Sequence, residues 1–563
     1  MLVIRCPVGR GVLGGGAALV MAACSNTTQP PPPPSPPPQV AQVTVSPPTA
    51  SLTAGTTLQL QATARDSGGT AIPGVAITWS SENTGVATVS PTGLVSAVGA
   101  GQTSIVAQTG NILGAGELTV SAPGNATITL QPSTTYQTML GWEATSQIGQ
   151  HEFNANVSGS GANFKDVQAE VLNRTVNELG INRVRLEFRA GYENDADYYT
   201  QWQQGLITRQ AWRNTWFNPV NDNNDPNVRN DSGFQFSELD GDIVEVVNPM
   251  RALLAANGES LYVNLTFTDF GGLQHFQFTN VDEYAELVLA VFQHIQSTFG
   301  WVPDAVEMIL EPDNGTPYTG TRIGQGIVAT QARLQAAGYS PDFVAPSTTS
   351  MLNAPGYFDE IITVPGALAA LTEISYHRYS QSLSSLQQIA ARATANNLRT
   401  AHLEHIGSGY QDLLEDITTG MNSSWAQFTI AWYTSDGTDD GGKYYLIDDS
   451  NPSSLTVSMG SRTPFLRQYM HYIRRGAVRI GTSTQSGSLE PVAFINANGR
   501  YVVVVSASSA QGFTIGGLPG GTYGVSYTTN SQANIDQADV AVAGGSLLSA
   551  TIPAAGVITI YGK

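Results

Sequence analysis

From Tyr136 to about Arg474 the chain switches repeatedly between two periodicities. Short apolar or alternating runs at residues 138–142, 183–188, 261–267, 305–310, 342–347, 372–377, 398–403 and 443–448 read as strands. Between them, residues 166–179, 281–298, 325–337 and 382–396 carry apolar positions at helical spacing. Strands alternating with helices predict a parallel sheet wrapped by helices, and eight strands are the number that closes a (β/α)8 TIM barrel. On that count one strand ends just before Glu311 and another ends at Glu404.

The flanks are different. Residues 40–122 hold short alternating runs broken by Gly, Pro and Asn, such as Val43-Thr44-Val45 and Ile77-Thr78-Trp79, which predict an immunoglobulin-like β-sandwich of about seven strands. After Arg474 the helical pattern fades and runs such as Tyr501–Val505 and Val557–Tyr561 predict a C-terminal β-sandwich side domain over 476–563. The run Ala126–Leu130, within residues 125–135 ahead of the barrel, is expected to pair with that terminal domain. The barrel itself takes 123–475.

The N-terminus reads as a processed leader. Arg5 and Arg10 precede a small apolar stretch, too short to span a bilayer comfortably, and Met21-Ala22-Ala23-Cys24 closes it like a lipoprotein box. Residues 1–23 are then a signal peptide, 24–39 a proline-rich linker, and Cys24 carries a lipid that forms the protein's sole membrane attachment. Plain secretion with a free cysteine is the alternative. The other cysteine, Cys6, lies in the leader, so no disulfide is expected. The expected location is the bacterial cell envelope, facing outward.

Composition narrows the partners. A formal charge of -19 over 563 residues argues against nucleic acid and against an anionic membrane surface. No phosphate loop, no His-Glu-x-x-His and too few cysteines for a thiolate site are present, so neither an organic cofactor nor a metal is expected. A monomer is expected.

Glu311 and Glu404 lie about 90 residues apart, each where a strand gives way to a loop. A parallel barrel gathers its reactive groups at the C-terminal ends of its strands. Cleaving a glycosidic bond takes one carboxyl to protonate the leaving oxygen and a second to attack or stabilise the anomeric carbon. Each glutamate taken alone reads rather as a solvated or salt-bridged loop residue, and it is the spacing and context of the two that favour the chemical reading.

Two resemblances sharpen the picture. Ile77–Ser81, Val86–Ser90 and Gly93–Ala97 resemble the group 2 bacterial immunoglobulin-like domain, which implies a spacer. Residues 125 to 563 resemble a clan A glycoside hydrolase, most of all family 30, through the start of the first strand at Tyr136–Glu143 and the terminal β-domain. That resemblance implies retaining hydrolysis, with Glu311 as general acid/base and Glu404 as nucleophile. Glu311 is then expected to keep a proton near neutral pH through burial and the neighbouring charge, while Glu404 stays ionised beside donors or a cation.

The same resemblance marks substrate-site candidates. Arg185 resembles the clan's strand-two arginine and would fork onto the nucleophile; an ion pair with Glu187 or Glu143 is the competing reading. His377-Arg378-Tyr379 resembles the His-x-Tyr element, placing His377 and Tyr379 near the nucleophile. Trp142 stands at the start of the first strand. Leu310 occupies the place where the family has Asn, so Asn314 is a candidate substitute. Tyr444 and Tyr445 stand in the predicted eighth strand where a Trp is usual, which makes Tyr445 a further candidate.

The segment 189–236, with Tyr192, Tyr198, Tyr199, Trp202, Trp212, Trp216 and Phe217, reads equally as a sugar-stacking wall and as a small satellite core. Within it, Asn221–Asp225 lacks the terminal bidentate Glu of a calcium loop and reads as a solvated turn. Asp269-Phe270-Gly271-Gly272 reads as a turn beside the cleft. The sequence thus points to a retaining glycoside hydrolase for β-linked polysaccharide or oligosaccharide. The competing reading is a non-catalytic carbohydrate-binding or adhesin protein on the same barrel.

Overall fold

A computed structural model describes residues 39–563 apart from 55, 100, 122–125, 150, 154–160, 272–274 and 315–317. The leader, Cys24 and the proline run lie outside the described residues.

Eight parallel strands close into a barrel: β1 (Gly141–Ile148), β2 (Arg183–Arg189), β3 (Tyr262–Thr268), β4 (Ala305–Glu307), β5 (Asp342–Ser350), β6 (Leu371–Ser380), β7 (Arg399–Glu404) and β8 (Asn422–Tyr433). Closure is the pairing of β1 with β8, in which Trp142 lies opposite Trp425. Two more strands, β9 (Lys443–Asp448) and β10 (Thr456–Met459), extend the sheet outward from β8.

Two strand assignments are corrected here. The eighth barrel strand is Asn422–Tyr433, and residues 443–448 lie outside the closed ring. The run Asn422–Tyr433 is buried along nearly its whole length, so it lacks the inside-outside alternation by which the sequence was read. The first barrel strand begins at Gly141, because Ala126–Thr138 is one long strand of the terminal sandwich, antiparallel to Val478–Thr484 and parallel to Gln511–Gly516. Helices Val281–Phe299, Gly320–Ala336 and Leu383–Asn396 fall where helical spacing predicts them. The described residues of 39–121 form nine short strands rather than about seven, since breaks such as Leu60, between Thr57–Gln59 and Gln61–Arg65, divide the runs. Their core is Val43, Val95, Ile105, Ala107 and Leu118.

Parity along each barrel strand decides what faces where. On β2, Val184, Leu186 and Phe188 join Val263, Leu265 and Phe267 of β3 in the apolar layer under the helices. Arg183, Arg185, Glu187 and Arg189 alternate with them and turn inward, all buried. The barrel interior is therefore largely polar, with a small apolar plug of Tyr262, Ala305, Val344, Ala401 and Leu403.

Near the plug, Arg183 is wholly buried and ion-paired with Glu143. It also forks onto Glu373, at 2.8 and 3.1 Å, and reaches Ser424 at 2.6 Å. Burial pushes the Glu143 carboxyl up to about 7 even against the opposing charge of Arg183. Removing the guanidinium strands carboxylates that have no other route to water. Arg183→Met is expected to cost about 3–5 kcal/mol of barrel stability, read from guanidinium unfolding followed by tryptophan fluorescence. An unchanged midpoint would show that the inner charges do not hold the barrel together.

Candidate active site

Glu404 is the last residue of β7, and its backbone lies in register with His377 of β6. His402, two residues earlier, is buried; burial and the charge of Arg378 hold it well below the ordinary imidazole range. Its neutral ring thus donates to the Glu404 carbonyl at 2.9 Å and fixes the strand end. The carboxylate accepts from Arg185 at 2.6 Å on one oxygen and from the Tyr379 hydroxyl at 2.9 Å on the other. Burial and the charge of Glu404 push the Tyr379 phenol up, so it remains a donor. Arg185 also lies 3.5 Å from Glu187, so the two readings of this arginine coexist; Glu143 belongs instead to Arg183.

Glu311 follows β4 in a left-handed backbone conformation (φ 53°) that a side chain rarely takes. The turn is over-determined. Leu310 N–H donates to Phe267 at 2.8 Å, and Glu311 N–H donates to Ser347 at 3.0 Å. Asp313 accepts from the Thr349 and Ser350 amides at 2.6 and 3.2 Å, tying the loop to β5. The Glu311 carboxyl then meets His377 Nδ1 at 3.0 Å on one oxygen and accepts from Asn314 at 2.8 Å on the other.

One ligand atom each from Glu311, His377 and Glu404 falls within 4.8 Å of the others, so the two carboxyls share a single gap. This is also metal-ligand spacing. Arg185 already supplies the positive charge at Glu404, which disfavours a second cation in the same place.

The protons are arranged differently from expectation. Burial pushes the Glu311 carboxyl up, but the hydrogen bond and charge of His377, the Asn314 amide and the Arg185 charge outweigh it, and the net direction is down. Desolvation lowers His377, yet its bond to Glu311 and the charge of Glu404 carry it above its ordinary range. Both directions favour an ionised carboxyl facing a protonated imidazole across 3.0 Å, the reverse of the proton expected on Glu311.

A cleft of about 260 Å³ opens over the pair, lined among others by Gln147, Arg189, Arg213, Thr268, Leu310 and Phe428. The aromatic segment splits between its two readings. Trp202 and Trp212 stack 4.1 Å apart, almost fully buried, and form the satellite core. Trp216, Phe217 and Phe270 line the cleft, with Arg189 3.7 Å over the Trp216 ring.

Two substrate-site candidates fall elsewhere. Parity points Trp142 out of the barrel at the N-terminal end of β1, 1% exposed, where its indole donates to the Ile473 carbonyl at 2.6 Å. Tyr445 lies on β9, its hydroxyl donating to the Arg174 carbonyl at 3.0 Å. Sequence reading missed Phe428 and Gln147. The signal for Phe428 was the apolar run Asn422–Tyr433 itself.

Residues 476–560 match the glycosyl hydrolase family 30 β-sandwich domain, and residues 39–112 match the bacterial Ig-like domain (group 2). Barrel and sandwich together share the family 30 fold. The catalytic domain of a family 30 xylanase C from Talaromyces cellulolyticus superposes with a TM-score of 0.56 at 17% identity, covering 78% of this chain and 100% of that one. A family 30 endoxylanase from Clostridium papyrosolvens gives 0.55 at 16% identity over 78% of this chain and 100% of its own. An endo-β-1,6-glucanase gives 0.56 at 16% identity over 79% and 95%. Comparison with curated proteins gives no match.

The Glu311–His377 pair sets a pH signature. A depressed carboxyl contributes stability that is present above its ordinary value of 4.5 and lost as pH falls through its folded value. A raised imidazole contributes stability that is present below 6.5 and lost as pH rises through its folded value. Glu311→Gln removes the first and weakens the second, leaving the charge of Glu404 to hold His377 up. Its melting temperature should therefore lie furthest below the unsubstituted protein between those two folded values, with the gap closing in acid and in alkali. Thermal melts over a pH series check this, and a gap independent of pH refutes the pairing.

Proposed function

We propose that the protein is a retaining glycoside hydrolase acting on a β-linked polysaccharide or oligosaccharide, with Glu404 as nucleophile and Glu311 as general acid/base. The observation that carries this reading is the shared gap. Carboxyl oxygens no more than 4.8 Å apart suit direct attack, whereas inverting enzymes hold theirs ~6.5–9.5 Å apart to seat a water.

The roles follow from the surroundings. Glu404, held by Arg185 and Tyr379, is an oriented anion aimed at the anomeric carbon. Attack forms the Glu404–sugar bond as the glycosidic C–O bond breaks. The leaving oxygen takes the proton that Glu311 and His377 share. In the second half Glu311 removes a proton from water, whose oxygen displaces Glu404 from the sugar. Trp216, Phe217 and Phe270 offer apolar faces for pyranose stacking.

We further propose that Cys24 carries a lipid anchor and that the proline linker and immunoglobulin-like domain hold the barrel outward from the cell envelope. That arrangement suits a polymer too large to enter the cell.

Hydrolysis of a polysaccharide panel tests the reading. Glu311→Gln is expected to slow turnover about 10²–10⁴-fold, with the loss shrinking for aryl glycosides whose leaving group needs no protonation. Glu404→Gln should be at least as damaging with every leaving group. The first sugar released should keep its β configuration by proton NMR. Release of the opposite anomer refutes the retaining assignment, and binding without turnover by the unsubstituted protein supports the carbohydrate-binding reading instead.

A further inference from the structure

Glu187 is a buried carboxylate in the cleft that neither attacks the sugar nor protonates the leaving oxygen. It lies on β2 just beyond Arg185, 4% exposed, and lines the cleft with Glu311 and Glu404. Its Oε2 accepts from the side-chain amide of Gln147 on β1, and its Oε1 stands 3.5 Å from Arg185 Nη2. The same nitrogen donates to Glu404 at 2.6 Å. One terminal nitrogen of the guanidinium thus faces both carboxylates, and stands closer to the nucleophile.

Arg185 has little else to pair with. Its Nε and Nη1 are buried and have no hydrogen-bond partner among the described residues. Burial works against its charge, and the anions that sustain it are, in order, Glu404, Glu187 and Glu307. Glu307 on β4 is occupied by Asn264 and Thr266 at 2.7 and 2.8 Å, and Glu143 by Arg183. A buried guanidinium stripped of its counter-ion is strongly unfavourable.

The double displacement strips it. As Glu404 bonds to the anomeric carbon, the leaving group departs with the electron pair of the broken C–O bond, and the carboxylate becomes a neutral ester. We propose that Glu187 is a positioning residue that then serves as counter-ion to Arg185, so that the guanidinium is paired in the free enzyme and in the glycosyl-enzyme alike. This rests on the retaining reading of Glu404. Gln147 holds the waiting carboxylate in place, and the longer separation leaves the stronger bond with Glu404 until the charge there is gone. The consequence is asymmetric. Without the Glu187 charge the glycosyl-enzyme rises in free energy relative to the free enzyme, so its formation slows and its breakdown quickens. A residue that only shapes the cleft, or binds a sugar hydroxyl throughout the reaction, slows both steps when it is lost.

Dinitrophenyl β-glycosides of a panel of sugars, each with fluorine beside the anomeric carbon, separate the two steps, because their leaving group needs no proton and the fluorine slows release. On the full chain, mass spectrometry is expected to place the label on Glu404, with label gain and reactivation giving the two rates. Glu187→Gln should gain label about tenfold more slowly and reactivate about tenfold faster, with the concentration dependence of labelling unchanged. Glu187→Asp, which keeps the charge but draws it back from Arg185, should show the same opposed shifts at smaller size, and serves where Glu187→Gln fails to fold. A labelled parent whose variants slow in both steps, change in neither, or lose only affinity for the glycoside overturns this proposal alone. Label on Glu187 itself, or no label on the parent from any glycoside, overturns the retaining assignment of Glu404 and this proposal with it.

Discussion

The structure depends on a single strand carrying cations into a barrel full of carboxylates. Arg183 and Arg185 on β2 both point inward, and each serves a different level. The lower one satisfies Glu143 and Glu373; the upper one holds Glu404. Arg189, four residues beyond Arg185, reaches Glu238 at 3.3 Å and His151 at 2.8 Å at the rim and covers the Trp216 ring. Strand periodicity is two, so a slip of one residue would turn these guanidinium groups into the apolar layer beneath the helices and leave the glutamates unpaired. Register here is fixed from both faces at once: hydrocarbon must go out, and charge must go in opposite charge.

This constraint explains the different surroundings of the two central carboxyls. Glu404 inherits a guanidinium from the same ladder that neutralises the rest of the interior. Glu311 sits on a strained turn outside the ladder and relies on His377 and Asn314, neither of them a fixed charge. A donor such as Asn314, on an exposed loop, is free to turn toward a ligand, and His377 can pass its proton along a 3.0 Å bond. Burial already acts to raise Glu311, so loss of either donor shifts its carboxyl upward.

How much of this was legible from residues alone differs by element. The strand endings at Glu311 and Glu404, the inward Arg185 and the His377–Tyr379 parity follow from period-two reading and from the family resemblance. The eighth strand was hidden because Asn422–Tyr433 is buried on both faces, whereas Lys443–Asp448, a true strand outside the ring, shows the cleaner pattern. Trp142 was misplaced although parity forbade it: with Glu143 inward, its neighbour must face out. The split of the aromatic segment depends on which rings find a stacking partner within it. Trp202 and Trp212 do, whereas Trp216 is drawn to the cleft by Arg189. The direction of Glu311 was not readable, because burial was visible in the pattern but the two donors were not.

The carboxylate cluster behind the cleft wall was invisible for a related reason. A loop-based motif is recognised by its spacing, and here the spacing is spatial: Glu193, Asp222, Glu283 and Glu286 come together only once the segment after β2 packs against the helix Val281–Phe299. Short backbone bonds join this cluster to the cleft. Val220 N–H donates to Glu193 at 2.8 Å, and Gly191 N–H donates to Trp216 at 3.0 Å. Gly191 admits the chain there because a Cβ would stand 2.2 Å from the Thr215 carbonyl. The wall that presents Trp216 and Phe217 is thus fastened at its root to a group of carboxylates that repel one another.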